Sequence, residues 1–332
     1  MNALKNKTNR IKAIDIAKGI GILAVIIGHC YSTPGYILIK IIYAFHMPLF
    51  FIISGVLLSN KKSNGKNLEI KKVAHSLLMP YFIFDFLFAF CISVSTGFTA
   101  LGNYILSTIS FMGNTATWFL PCLFFVEVLF WILERVNDKI RIIIIIVLFI
   151  IGLFCPSIGY LKVILRVFIG LGFYSLGFYF SKFLLQLQKW YISIVLIIAF
   201  IASALCNETV DLYSMKLGNP LLYTVSSLCG SMLLLQFSIL LSRKNNKIQN
   251  GIVFLGRNTL IILCTHVFLI EIIRIIDNKC FGNILPFLGA FEGIVFCMLI
   301  VSLEIPVILF CNHFLGFLFG KKRQIVSYVF LY

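Results

Sequence analysis

Ten long apolar runs separated by short polar connections leave this chain almost no choice of fold. A helix needs about 20 apolar residues to cross the ~30 Å hydrocarbon core of a bilayer, and in lipid the backbone must satisfy its own polar groups. The runs fall at 14–31, 38–58, 75–97, 117–134, 140–155, 161–181, 191–205, 220–241, 252–275 and 288–312, lengths suited to helices rather than strands. Hydrophobic residues make up 60% of the chain and charged ones 12%, with a mean hydropathy of +1.02. A soluble domain carries about 25% charged residues. The expected fold is an all-α, polytopic transmembrane helix bundle of about ten helices. Residues 1–332 read as one membrane-embedded domain, with a basic N-terminus (1–13) and a C-terminal tail (319–332) both in the cytoplasm.

The net charge of +16 does not indicate nucleic acid, because Lys and Arg sit in short clusters between apolar runs. Alternate connections collect Lys5, Lys7, Arg10 and Lys12, then Lys61 to Lys72, Arg135 to Arg141, Lys182 and Lys189, Arg243 to Arg257, and Lys321 to Arg323. That assigns 21 cations inside against 6 outside, a bias that sets orientation by the positive-inside rule. The N-terminus resembles a signal peptide, but Asp15 and Lys18 interrupt the apolar run and no small-residue cleavage site follows, so it reads as a retained first helix. The uncharged connection 98–116 falls outside and fits a loop, a re-entrant segment or an interfacial helix equally. Most of the ten cysteines lie within apolar runs, and no CxxC or Cys/His spacing suggests a metal. No internal repeat of the transporter kind is visible.

Ionisable groups at membrane depth are costly and usually face a protein interior or a wet cavity. Along the first helix, Asp15, Lys18 and His29 share one face: at about 100° per residue, eleven steps return to within about 20° of the starting direction. At a rise of about 1.5 Å per residue, Lys18 lies about 16 Å and Asp15 about 21 Å from His29 along the axis, so Asp15 and His29 cannot be a hydrogen-bonded dyad. The three form a polar stripe leading from the cytoplasmic side to His29; an Asp15–Lys18 pair with His29 as an interhelical hydrogen-bonding group is the plainer alternative. In the second run, AFHMPLFFIISG, Pro48 frees a carbonyl near His46 and kinks the helix, with Ser54 further along. Counted from the cytoplasmic ends, His29, His46 and His266 reach a common depth of about 20 Å. Glu127 and Asp85 fall near mid-membrane and either line the same cavity or bind a helix partner. Arg166, and Glu271 with Arg274, lie toward the outer side, and Trp118 begins a helix at the outer interface. Glu292, Glu304, His75 and His313 are placed near helix ends with no special role.

The stretch from Arg10 to Leu58 resembles the acyltransferase-3 family of bacterial integral membrane acyltransferases: DIAKG, the GH ending the first helix and FHMPLFFIISG recur there in this order. Trp118-Phe119-Leu120 looks like the family's W-F-L segment, and Gly256-Arg257-Asn258-Thr259-Leu260 through His266 looks like its G-x-x-S-L…H segment. The resemblance implies transfer of an acyl group, most often acetyl from acetyl-CoA, to hydroxyls of a cell-surface polysaccharide or its lipid-linked precursor, with the enzyme in the bacterial cytoplasmic membrane. It places His29 at the family's catalytic position. A basic residue eleven positions earlier is often Arg in the family and is Lys18 here.

An imidazole titrates near neutrality and suits general-base work. His29 is accordingly read as the base, with His46 as a catalytic partner at the developing oxyanion. Lys18, Asp15 and Arg10 form the donor-binding end, where the cations attract the CoA phosphates. Glu127, His266, Trp118, Ser54 and Arg166 are read as lining the cavity. Acetyl-CoA is the expected donor substrate, with no permanently bound cofactor, and the partners are the glycan acceptor and the lipid bilayer, not nucleic acid. The alternative from another class is a transporter or flippase for glycan or lipid intermediates, since buried polar residues also mark permeation paths.

Overall fold

The computed structural model describes residues 12–31, 36–114, 116–186, 190–243, 246–282, 284, 285, 289 and 291–321. Among these, regular structure is helical apart from one isolated β-bridge between Asp211 and Lys216. In chain order the helices are α1 (Lys12–Cys30), α2 (Ile37–Tyr43), α3 (His46–Ser63), α4 (Ile70–Thr96), α5 (Leu101–Ile109), α6 (Phe119–Leu133) and α7 (Asp138–Phe154). They continue with α8 (Leu161–Tyr179), α9 (Ser181–Gln186), α10 (Trp190–Cys206), α11 (Pro220–Ser242), α12 (Lys247–Arg257), α13 (Thr259–Phe281) and α14 (Glu292–Phe314). Among the described residues eight segments are long and apolar enough to cross a membrane, with α2 and α3 counted as one. Helices α7 and α10, at 17 residues each, are at the short end of spanning length.

Two of the expected continuous spans are broken. The second parts at Ala44 and Phe45, where Phe45 takes φ −140°. Pro48 has no N–H for the carbonyl four residues back, and that Ala44 oxygen accepts instead from Ser227 Oγ on α11 at 2.8 Å. The ninth parts at Asn258, because the side chain competes for backbone groups: Asn258 Nδ2 donates to Phe254 O at 2.8 Å. Its Oδ1 accepts from Asn312 Nδ2 at 2.9 Å and Lys321 Nζ at 2.7 Å, pinning the break to the end of α14. Helix α12, before the break, is amphipathic and is started by Asn246, whose Oδ1 accepts from Gln249 N at 2.8 Å. The open question at 98–116 resolves into a single 3-10 turn (Phe98–Ala100), the short α5, and a second 3-10 turn (Ala116–Trp118).

Helix α1 is central, packed by α3, α11, α12, α13 and α14. Helices α3 and α8 meet through Gly55 and Gly177, where a Cβ would strike the facing backbone at Tyr174 and Ile52. Small residues that let backbones meet are the usual solution where lipid removes the hydrophobic drive between helices. Helices α7 and α10 lean on α8 and α11 respectively, with Ile143, Ile146, Val195 and Ile198 exposed on faces suited to lipid.

Candidate functional site

A cavity of about 340 Å³ lies at the Cys30 end of α1. Helix α1 contributes Val25 and His29, α2 Tyr43, α3 His46 and Met47, and α4 Phe88. The segment before α6 contributes Asn114, Ala116 and Trp118; the α10–α11 connection Asp211, Leu212 and Tyr213; and α13 Leu263, Val267 and Glu271. The broken second span is what brings Tyr43 in: its ring lies against Gly28, where a Cβ would collide with it, and its centroid is 4.9 Å from that of His46. The Tyr43 hydroxyl makes a long 3.4 Å contact to Gly28 O.

The histidines differ in what they offer. Among the described residues the His29 ring has no hydrogen bond, and it opens on the cavity. His46 Nδ1 lies 2.9 Å from Ile42 O, and His266 Nδ1 lies 2.7 Å from Ile262 O. A carbonyl only accepts, so in both rings Nδ1 carries the proton, leaving Nε2 as the lone-pair nitrogen of the neutral imidazole. His266 does not line the cavity; it is fully buried behind His29, with ring centroids 5.3 Å apart and planes inclined at 57°. Arg274 Nη2 donates to carbonyls at the end of α1 and just past it, His29 O at 3.1 Å and Tyr31 O at 3.4 Å, while its Nη1 sits 3.6 Å from Glu271 Oε1. Those carbonyls have no helical partner of their own.

The rim is held by two polar knots. Asp85 of α4, fully buried, accepts from Thr108 Oγ1 at 2.7 Å, Thr117 Oγ1 at 2.5 Å, Asn114 N at 3.1 Å and Asn114 Nδ2 at 2.8 Å. A carboxylate with this many donors ties residues 108–117 to α4. Arg166 of α8, 1% exposed, lies against the rings of Trp118 and Tyr213, 5.2 and 4.7 Å from their centroids. It donates to Met112 O at 3.2 Å and to Tyr213 O. Arg166 therefore supports two lining aromatics without reaching the cavity itself. In the α10–α11 connection, Asp211 Oδ1 accepts from Tyr213 N at 3.0 Å, and its backbone pairs with Lys216.

The opposite end of α1 is closed. Helix α12 runs backbone to backbone against it: a Cβ on Gly19 would strike Ile252 O, and one on Gly256 would strike Asp15 O. Asp15, 2% exposed, accepts from Arg257 Nε at 3.2 Å. Lys18 is half-buried beside this contact, and Arg10 lies outside the described residues. Of the expected lining residues, Trp118 reaches the cavity together with His29 and His46. Glu127 is half-buried on α6, and Ser54 Oγ bonds back to Phe50 O of its own helix at 2.9 Å; neither borders this cavity. Glu304, placed near a helix end by the sequence, is fully buried in the middle of α14, with Thr265 Oγ1 2.9 Å from each carboxyl oxygen.

Sequence reasoning passed over Tyr43, Asn114, Asp211 and Tyr213. Tyr43 stands three residues before His46 and was within reach of a helical-spacing argument across the break. Asp211 and Tyr213 carry no local signal, because only the folded α10–α11 connection brings them to α1. A family model described as an acyltransferase domain, that of the acyltransferase-3 family, matches residues 11–303. Comparisons with curated proteins and with solved structures gave no match.

Proposed function

The chain belongs to the acyltransferase-3 family, and from that premise we propose that it transfers an acetyl group from acetyl-CoA to a hydroxyl of a cell-surface polysaccharide or its lipid-linked precursor, in the bacterial cytoplasmic membrane. The observation that carries this reading is the placing of His29, ring unbonded among the described residues, on the wall of a cavity shared with His46 and Tyr43. Its ~340 Å³ volume falls in the range of about 300–1,000 Å³ usual for small-ligand sites. Trp118 and Tyr213 provide apolar ring faces and Asp211, Glu271 and Asn114 polar groups, a mixture suited to a sugar, which is apolar on its ring faces and hydroxylated at its edge.

In the reaction, His29 takes the proton of the acceptor hydroxyl as its oxygen attacks the thioester carbonyl. The tetrahedral intermediate collapses, the carbon–sulfur bond breaks, and the thiolate takes the proton back from the His29 imidazolium. The products are the acetyl ester and free CoA. Neutral His46 presents a lone pair at Nε2, so it serves the oxyanion only as an imidazolium, whereas the weakly engaged Tyr43 hydroxyl donates in its ordinary state. Lys18 and Arg10 attract the CoA phosphates at the donor end, beside Asp15, whose buried carboxylate is taken up by Arg257.

Membrane vesicles given acetyl-labelled CoA and surface glycan test the reaction: label should pass to the glycan as an alkali-labile ester. Movement of glycan or lipid across the vesicle without label transfer would favour a transporter instead. The orientation is tested by a cysteine placed at Lys66, which should resist an impermeant reagent in intact cells and react in inverted vesicles.

A further inference from the structure

We propose that His266 is a positioning residue: its Nε2 accepts a hydrogen bond from the His29 ring and holds that ring with its other nitrogen bare toward the cavity. This rests on the reading of His29 as the base.

Three observations converge. The His266 ring is fully buried, and its Nδ1 is committed as a donor to Ile262 O at 2.7 Å, which fixes the tautomer and leaves Nε2 a lone pair. That Nε2 is buried and has no partner among the described residues. Leaving a buried polar atom unpaired is costly, so a donor that can reach it by a small ring rotation is strongly favoured. The His29 ring is the aromatic neighbour, with centroids 5.3 Å apart. Two imidazoles joined through an N–H···N contact of about 3 Å, each with a ring radius of about 1 Å, have centres about 5 Å apart. The separation thus already matches a bonded pair, and the 57° inclination is the part that a side-chain rotation must adjust.

The consequence concerns protonation. A general base must present a bare nitrogen to the substrate, and a free imidazole distributes its proton between both nitrogens. An acceptor behind His29 resolves this by drawing the proton to the rear nitrogen. When the front nitrogen takes the hydroxyl proton, the rear N–H gains positive character and its bond to the His266 lone pair strengthens. His266 thereby does with a neutral ring what a carboxylate does in a hydrolase triad.

The test uses His266→Leu, which removes the acceptor at similar volume, and His266→Gln, whose Oε1 can accept, each in the otherwise unaltered chain and together with His29→Gln. His266→Leu is expected to lower kcat about 10- to 100-fold, the scale of a misplaced catalytic group, with KM for acetyl-CoA and glycan within about twofold. His266→Gln should recover most of that loss, and adding His266→Leu to His29→Gln should lower the residual rate no further. Equal activity of the Leu and Gln variants, or losses that multiply with His29→Gln, would overturn the proposal. If the Leu variant fails to accumulate, His266→Ala with added imidazole replaces it: recovery of kcat by imidazole supports the role, and no recovery overturns it. A near-normal rate in His29→Gln alone refutes the base assignment instead, so the two failures are distinguishable.

Discussion

The two ends of α1 are built in opposite ways. At Cys30 the helix opens on a hollow whose walls come from six other parts of the chain, and the carbonyls at that end are held by Arg274. At Lys12 the helix is sealed by α12 with no room for a methyl group at Gly19 or Gly256, and its buried Asp15 is paired with Arg257. One apolar helix therefore carries both a site and a seam. A polar residue near the hollow is open to a ligand, whereas a polar residue near the seam is first of all part of the packing.

The sharpest test of this contrast is His29→Gln, which should lower turnover by about 10²–10⁴ while the protein reaches the membrane in normal amount and melts at the normal temperature. A fall in abundance with full activity in the surviving protein would place His29 on the structural side of the divide. At the other end, Gly256→Leu should do the reverse, because overpacking costs about 1–3 kcal/mol. Abundance and melting temperature should fall, with the rate per folded molecule little changed; a normal melting temperature would mean that the seam opens readily. Lys18→Ala, beside the seam, should raise KM for acetyl-CoA about tenfold, equivalent to about 1.4 kcal/mol, and Lys18→Arg should restore most of it. An unchanged KM would leave the seam with no part in donor binding. The mildest change is Gly28→Ala, which presses on the Tyr43 ring. A few-fold loss of kcat without a comparable loss of stability is expected, and an equal loss of both would extend the seam's behaviour into the hollow.

How far the sequence discloses these features depends on the range of the interactions behind them. The helices are legible because hydropathy is local, and Pro48 announces the disruption of the second span since its missing N–H acts four residues away. The break at Asn258 is hidden: Arg257 and Asn258 are two polar residues in an apolar run, and what stabilises the break is Asn312 and Lys321 from the far end of the chain. Helical arithmetic puts Asp15, Lys18 and His29 on one face, but it cannot show that α12 covers one end of that face. Equal depth groups His29, His46 and His266, yet depth alone does not say that His266 stands behind His29 rather than beside it. Asp211 is out of reach of any local argument, since its place is fixed by tertiary folding.

The Asp85 knot bears on how the chain is made. The donors that satisfy this carboxylate lie 23 to 32 residues later in the sequence. At about 5–20 residues per second of synthesis, Asp85 emerges from the ribosome about one to six seconds ahead of Thr108, Asn114 and Thr117. During that interval the helix carries a lone acidic group, which at the centre of a span costs about 2.5–3.5 kcal/mol on insertion scales. The long apolar stretch of α4, with a mean hydropathy of 2.1, has to outweigh this cost while the helix waits. Insertion of α4 is then completed by residues that emerge after it, and a chain paused before residues 108–117 emerge would hold its fourth helix not yet secured.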